Sequence, residues 1–272
     1  MLEKAATLAA DVLMLDLDDA VVYTDEEKVA ALELVVATIS SGALAEKELV
    51  VRTNALATPW WQDEVRALAR LPIRAISPPK VQSGADVELI DAVLAEVGAP
   101  ESLRIWPMIE TPAAVLSLEA IATASPRVEL LVFGVGDYTA GTFGRFTHGL
   151  ERLAYALGKT ICVARAYGLE CIAPAFPADD TRRLDVVVSQ AETLRDFGFD
   201  GALCMHPAHV PAINEVFSPR SDDVDLARRL IAALDEATAR GEAAVVVDGQ
   251  LVERVHIALA HRTLALAQAL GP

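Results

Sequence analysis

The chain has 272 residues, with 23 Lys and Arg against 39 Asp and Glu, for a formal net charge of −16. A surface that negative repels phosphate backbones and anionic lipid, which argues against nucleic-acid and membrane-surface partners. With 53% hydrophobic but only 5% aromatic residues, disorder is excluded and a large core must be filled mainly by aliphatic side chains. The opening residues reach acids before a signal-type apolar segment forms. No charge-free stretch approaches the roughly 18 residues of a transmembrane helix. The expectation is a soluble, cytoplasmic protein.

Leu2, Ala5, Ala6 and Ala9 stand at helical spacing and predict an opening helix. Short apolar runs then predict strands at 11–17, 48–53, 73–77, 103–109, 129–134, 169–173 and 202–205. Between them lie helical stripes, such as Val29, Leu32, Val36 and Ile39, or Leu184, Val187, Ala191 and Leu194. Thr24 with Glu27 reads as a capping box, Thr111-Pro112 as an N-cap followed by a first-turn proline, and Gly198 as a helix stop. The tail predicts a strand at 243–247, a tight turn at Asp248-Gly249 and a last helix over 254–270. Cys162, Cys171 and Cys204 are odd in number and lack metal spacing, which predicts reduced, mostly buried thiols. Strand–helix alternation of this kind builds a parallel sheet covered by helices. A closed (β/α)8 barrel needs eight strands; seven are visible, and the expectation is that the first is absent.

In such folds ligands gather at the carboxyl ends of the strands, so polar residues there carry the functional argument. Alternation in VLMLDLDD places Leu13, Leu15 and Leu17 on one face and Met14, Asp16 and Asp18 on the other. With Asp19, these carboxylates repel one another unless cations or donors stand among them. Arg52, ending the next strand, is shaped to hold a substrate carboxylate; the alternative is an internal ion pair with Asp16, Asp18 or Asp19. Lys80 is either a residue of the same rim or a solvated loop lysine. Glu110 closes one strand and Asp137 follows another, after Gly134 and Gly136, which allow close approach. Two such carboxylates, with positions left for water and substrate, suit Mg2+ better than Zn2+; the alternative for each is a helix-capping acid. His206 and His209 follow the last strand and read more simply as structural. No GxSxG, P-loop or GxGxxG motif occurs.

The segments MLDLDDAV, VVRTNAL, PPKV, MIETPAAV, FGVGDYTAGTFG and CMHPAHVPAINEVFSP stand in the order of the HpcH/HpaI aldolase–citrate lyase β-subunit family, which the chain resembles over nearly its whole length. The resemblance implies a TIM barrel over residues 1–220. It also implies a C-terminal helical extension with a hairpin over 221–272, packed on a neighbouring subunit of a homotrimer or hexamer. Its activity would be Mg2+-dependent cleavage of a β-hydroxyacyl thioester (citryl-, malyl- or citramalyl-CoA type) to a 2-oxo acid and an acyl thioester. By the same resemblance Glu110 and Asp137 bind the metal and Arg52 holds the keto-acid part. Asp18 and Asp19 bind metal-bound waters or orient Arg52, and Lys80 is the lysine of the PKV motif.

Several positions depart from the family pattern. LDLED has become LDLDD, and a carboxylate beside Asp137 is replaced by Gly136. An Asp expected near Ala173-Pro174 is absent, and the C-terminal acid–base Asp is Glu253. An extra methylene there shifts the carboxylate by about 1 Å, enough to cost on the order of 10²-fold in rate. The departures leave open two alternatives: a class II aldolase on free pyruvate or oxaloacetate, and a non-catalytic metabolite-binding subunit.

Overall fold

In the computed structural model, which describes residues 5–175, 177, 180 and 182–270, the predicted alternation becomes a succession of parallel ladders. β1 (Val12–Asp16) pairs with β2 (Glu48–Arg52), β2 with β3 (Ala75–Ser77), and β3 with β4 (Arg104–Ile105). A second set runs in order through β5 (Met108–Ile109), β6 (Leu130–Phe133), β7 (Glu170–Pro174) and β8 (Gly201–Leu203). The run expected as one strand over 103–109 is interrupted at Trp106-Pro107, because proline brings no N–H to a ladder. The line is nonetheless carried across the break: Trp106 N–H donates to Ile76 O at 2.9 Å and Met108 N–H to Pro78 O at 3.0 Å.

All seven predicted strand positions are thus occupied. Among the described residues no ladder joins β8 to β1, so the closed (β/α)8 barrel expected from the resemblance is not observed; the strands form two open four-stranded ladders. Of the opening helix expected from Leu2 through Ala9, residues 1–4 lie outside the described residues; Ala5 is helical, and the chain from Ala6 to Ala10 is turn and coil, so no helix extends to Ala9. On one face of the sheet Val50, Ala75, Trp106, Met108, Leu130 and Val132 form a buried cluster, with Val12, Met14 and Ile172 packed against it. Leu13, Leu15 and Leu17 are buried on the opposite face of their segment, as alternation demands.

The helices in chain order are α1 (Asp25–Ser40), α2 (Trp61–Leu68), α3 (Gly84–Glu96), α4 (Pro112–Leu116), α5 (Leu118–Thr123), α6 (Val135–Gly141), α7 (Ala154–Ala166) and α8 (Leu184–Phe197). Thr24 caps α1 by accepting the Glu27 N–H at 3.3 Å, and three acids in the first turn complement the helix dipole. The buried face of α1 differs from the predicted stripe. Lys28, Val35 and Ile39 point inward and Val29 is exposed, because the Lys28 ammonium finds acceptors inside the protein. Thr111 Oγ1 accepts the Ala114 N–H at 3.0 Å with Pro112 opening α4. Gly198, at φ 102°, ends α8 in the left-handed region. In α8 Val187, Ala191 and Leu194 are buried while Leu184 is exposed. Of the thiols, Cys171 is buried and Cys204 intermediate, but Cys162 is exposed, contrary to expectation. No helix among the described residues is long and apolar enough to cross a membrane.

The chain divides into two compact units, Met1–Ile213 and Asn214–Pro272, within α9 (Val210–Phe217). In the second unit α10 (Ser221–Ala239) packs on α11 (Arg254–Leu270) and on the hairpin of β9 (Ala244–Val247) and β10 (Gln250–Glu253). Asp248 and Gly249, at φ 51° and 83°, form the two-residue turn that the sequence predicts. Glu253 ends the hairpin on an exposed position.

Replacing the α4 cap, Thr111→Ala, is expected to cost about 1 kcal/mol of stability, read as a lower urea midpoint with an unchanged slope. A midpoint equal to wild type would show that this cap carries no weight.

Candidate active site

The parallel register places Asp16 directly opposite Arg52, the last residues of β1 and β2. Arg52 grips Asp16 with two parallel bonds, Nε to Oδ1 at 2.7 Å and Nη2 to Oδ2 at 2.6 Å, and reaches Asp19 Oδ2 through Nη1 at 3.0 Å. Asp16 also accepts the Asp18 and Ala20 N–H groups, so its carboxylate closes the turn after β1. Burial would raise the Asp16 carboxyl, but Arg52 and these two amides together hold it below its ordinary range. Burial likewise opposes the Arg52 charge, and Asp16 outweighs it, so the guanidinium is raised. The internal ion pair weighed for Arg52 is therefore formed. Its main partner is Asp16, with Asp19 second; the bonds to Asp18 run elsewhere.

Asp18 is fully buried. One of its oxygens accepts the Tyr23 hydroxyl and the other lies 3.1 Å from Lys80 Nζ. Burial, and then the bond to Asp18, push the Tyr23 hydroxyl up to about 12. Lys80 is held above its ordinary value despite burial, by Asp18 and by the charges of Asp137 and Asp19. Its backbone stands at φ 53°, an uncommon region for a residue with a side chain. From there its N–H donates to Glu110 Oε1 at 2.7 Å.

Glu110 and Asp137 come from adjoining strand ends. Ile109 pairs with Phe133, which sets Glu110 beside Gly134, the residue before α6. A Cβ at Gly134 would stand 2.4 Å from Glu110 Cβ and 2.3 Å from Oε2. Only a glycine lets the Glu110 side chain lie there; Gly136, by contrast, has open space around it. Burial first, and then the nearby charge of Asp137, push the Glu110 carboxyl up to about 7, against the opposing pull of the Lys80 amide and the Arg52 and Lys80 charges.

An ion with a taste for oxygen ligands fits this pair. Two like charges share a rim and one is nine-tenths or more shielded from water, so a divalent cation would stabilise both as carboxylates. Among the described residues no group of three or more His, Cys, Asp or Glu side chains could hold a metal, so the remaining ligands would be water and substrate.

Three contributors, Tyr23, Lys28 and Glu64, escape a motif reading, whereas Asn54 lies in the VVRTNAL segment. Tyr23 covers Asp18, and Lys28 lies beneath it with its ammonium on the Leu17 and Asp18 carbonyls. Asn54 and Glu64 are buried partners behind the same turn. The available signal is Lys28 itself, a charge on the inward face that Val35 and Ile39 define. His206 takes a structural role, its Nδ1 accepting the Ala208 N–H at 3.2 Å to cap the short turn that holds His209. Glu253 belongs to the second compact unit.

A (3S)-malyl-CoA thioesterase from Cereibacter sphaeroides is 37% identical over 270 residues, spanning 99% of this chain and 91% of the relative. An L-malyl-CoA/beta-methylmalyl-CoA lyase from the same species is 31% identical over 278 residues, spanning 93% and 86%. Among solved structures, CitE of Mycobacterium tuberculosis, in complex with magnesium, acetoacetate and coenzyme A, superposes with a TM-score of 0.75. It is 25% identical, with 97% of this chain and 91% of that chain covered. The HpcH/HpaI aldolase/citrate lyase family model matches residues 1–207. With that match spanning the parallel strands β1–β8 and every rim residue described above, the chain belongs to the HpcH/HpaI aldolase/citrate lyase family.

Proposed function

We propose that this enzyme is a Mg2+-dependent carbon–carbon lyase acting on a β-hydroxyacyl-CoA thioester of the malyl, citramalyl or citryl type, releasing a 2-oxo acid and an acyl thioester. The observation that carries the reading is the buried Glu110 carboxyl, set by the β5–β6 register against Gly134 and within the field of Asp137 and of an arginine pinned by Asp16. Glu110 and Asp137 would hold the ion, and Asp18 and Asp19 keep Lys80 and Arg52 in place around it. When bound, Mg2+ supplies Lewis-acid polarisation of the substrate's 2-hydroxy carboxylate.

Arg52 offers that carboxylate its remaining N–H groups, already oriented because Asp16 fixes the guanidinium plane. As the bond between the carbinol carbon and the carbon α to the thioester breaks, the hydroxyl gives its proton to water and becomes the 2-oxo group. The bond's electron pair passes to the thioester enolate. Arg52 faces the oxygen charge that develops. The enolate then takes a proton at carbon, for which Glu253 from a neighbouring subunit of a trimer or hexamer is the candidate acid.

The test is a panel of malyl-, citramalyl- and citryl-CoA with and without Mg2+, following the 2-oxo acid as its hydrazone. Cleavage is expected with Mg2+, and Asp137→Ala should lower it by at least about 10²-fold. Full activity in EDTA, or an unimpaired Asp137→Ala enzyme, would overturn the reading. A second reading, thioester hydrolysis, draws on the 37% identity to malyl-CoA thioesterase. It predicts free CoA thiol and an intact hydroxy diacid, with no hydrazone formed.

The ionisation of Glu110 gives an independent check. A carboxyl whose folded value is raised from 4.5 to about 7 contributes stability that is full below the unfolded value and lost as pH rises through the folded one. In metal-free protein, the stability of wild type relative to Glu110→Gln should therefore fall between pH 5 and pH 8, by at most about 3 kcal/mol. Saturating Mg2+ should abolish that fall for wild type. A pH-independent difference in metal-free protein would show that Glu110 ionises normally.

A further inference from the structure

Beneath the β1 turn lies a charged side chain that the mechanism above does not use. Lys28 is 1% exposed, and its Nζ donates to Leu17 O at 2.7 Å and to Asp18 O at 2.8 Å. The Tyr23 ring lies 4.0 Å from the ammonium and the Trp60 ring 5.5 Å. Asn54 Nδ2 adds a second donor on Leu17 O at 3.0 Å, and Glu64, 1% exposed, accepts from both Asn54 N and Nδ2. A buried ammonium is costly unless its hydrogen bonds are satisfied; burial holds Lys28 below its ordinary range, and two carbonyls, two ring faces and the charges of Asp18 and Glu64 offset part of that cost.

The two carbonyls that Lys28 holds belong to the residues lying between Asp16 and Asp19. Those are the carboxylates that orient Arg52, while Asp18 itself carries Lys80. We infer that Lys28 is a positioning residue: by clamping the Leu17 and Asp18 carbonyls it fixes the turn that aims Arg52 and Lys80 at the substrate. Apolar packing alone would fill the same space, but it would leave Leu17 O to Asn54 and Asp18 O to the Val21 N–H, and no single group would then tie the two carbonyls together. A displacement of about 1 Å in such groups is enough for a 10²-fold loss of rate. The inference deepens the proposed lyase reading and rests on it for its catalytic consequence, although not for its structural one.

Two readouts separate these. The first is hydrogen exchange of the Arg52 Nε–H, assigned by NMR through its loss in Arg52→Lys, with Arg127 Nε–H on Asp91 as an internal reference. In Lys28→Met the Arg52 exchange is expected to quicken by about tenfold or more with Arg127 unchanged, and Lys28→Arg should restore most of the protection. The second is kinetic: kcat should fall by about 10²-fold in Lys28→Met while inhibition by free CoA is unaffected. If Lys28→Met does not fold, Lys28→Gln, which keeps one donor, should move both readouts in the same direction by less. Unchanged Arg52 exchange in a folded variant would overturn the inference. Faster Arg52 exchange in a protein whose wild type cleaves none of the thioesters would sink the lyase reading instead and leave the clamp standing.

Discussion

Parallel register governs everything at the strand ends. It sets Asp16 against Arg52 and Ile109 against Phe133, and from those two pairings the whole charge arrangement follows. The first lets a guanidinium dock on a carboxylate through two parallel bonds, each on a neighbouring strand. The second delivers Glu110 to Gly134 and so into range of Asp137. A slip of one residue in either ladder would turn these side chains to the opposite face and bury apolar residues in their place.

Acids outnumber cations at the rim, but most of them have a cation within reach. Asp16 and Asp19 are matched by Arg52, Asp18 by Lys80, and Glu64 lies within the field of Lys28. Glu110 and Asp137 stand apart: the bonded donor on Glu110 is a neutral backbone amide, and their mutual repulsion is uncorrected by a bonded cation. A pair of acids with no bonded cation, beside acids that each have one, is the physical reason for placing the proposed ion there.

Much of this was legible in the sequence, and the parts that were not share a cause. The seven strand positions followed from apolar runs bounded by polar residues, and the caps at Thr24, Thr111 and Gly198 from local chemistry alone. The interruption at Pro107 was visible as a residue but not as a consequence, since either neighbour could have taken up the ladder. The phase of α1 is not legible because Lys28 reads as polar, whereas its stem is apolar and its head finds carbonyls inside. For Arg52 the sequence left substrate and internal carboxylate equally open; only the pairing across strands shows that Asp16 comes first. Ring closure of the sheet was an inference from kinship, and the described ladders remain open.

Lys80 exemplifies a different economy. Its amide serves Glu110 while its ammonium serves Asp18, so one position speaks to both halves of the site through chemically independent voices. Truncating the side chain silences one and spares the other. A proline would silence the first outright, and its ring cannot reach φ 53°. Drift at this position is thus constrained along two axes at once, and glycine, which tolerates the left-handed backbone, would preserve only the quieter of them.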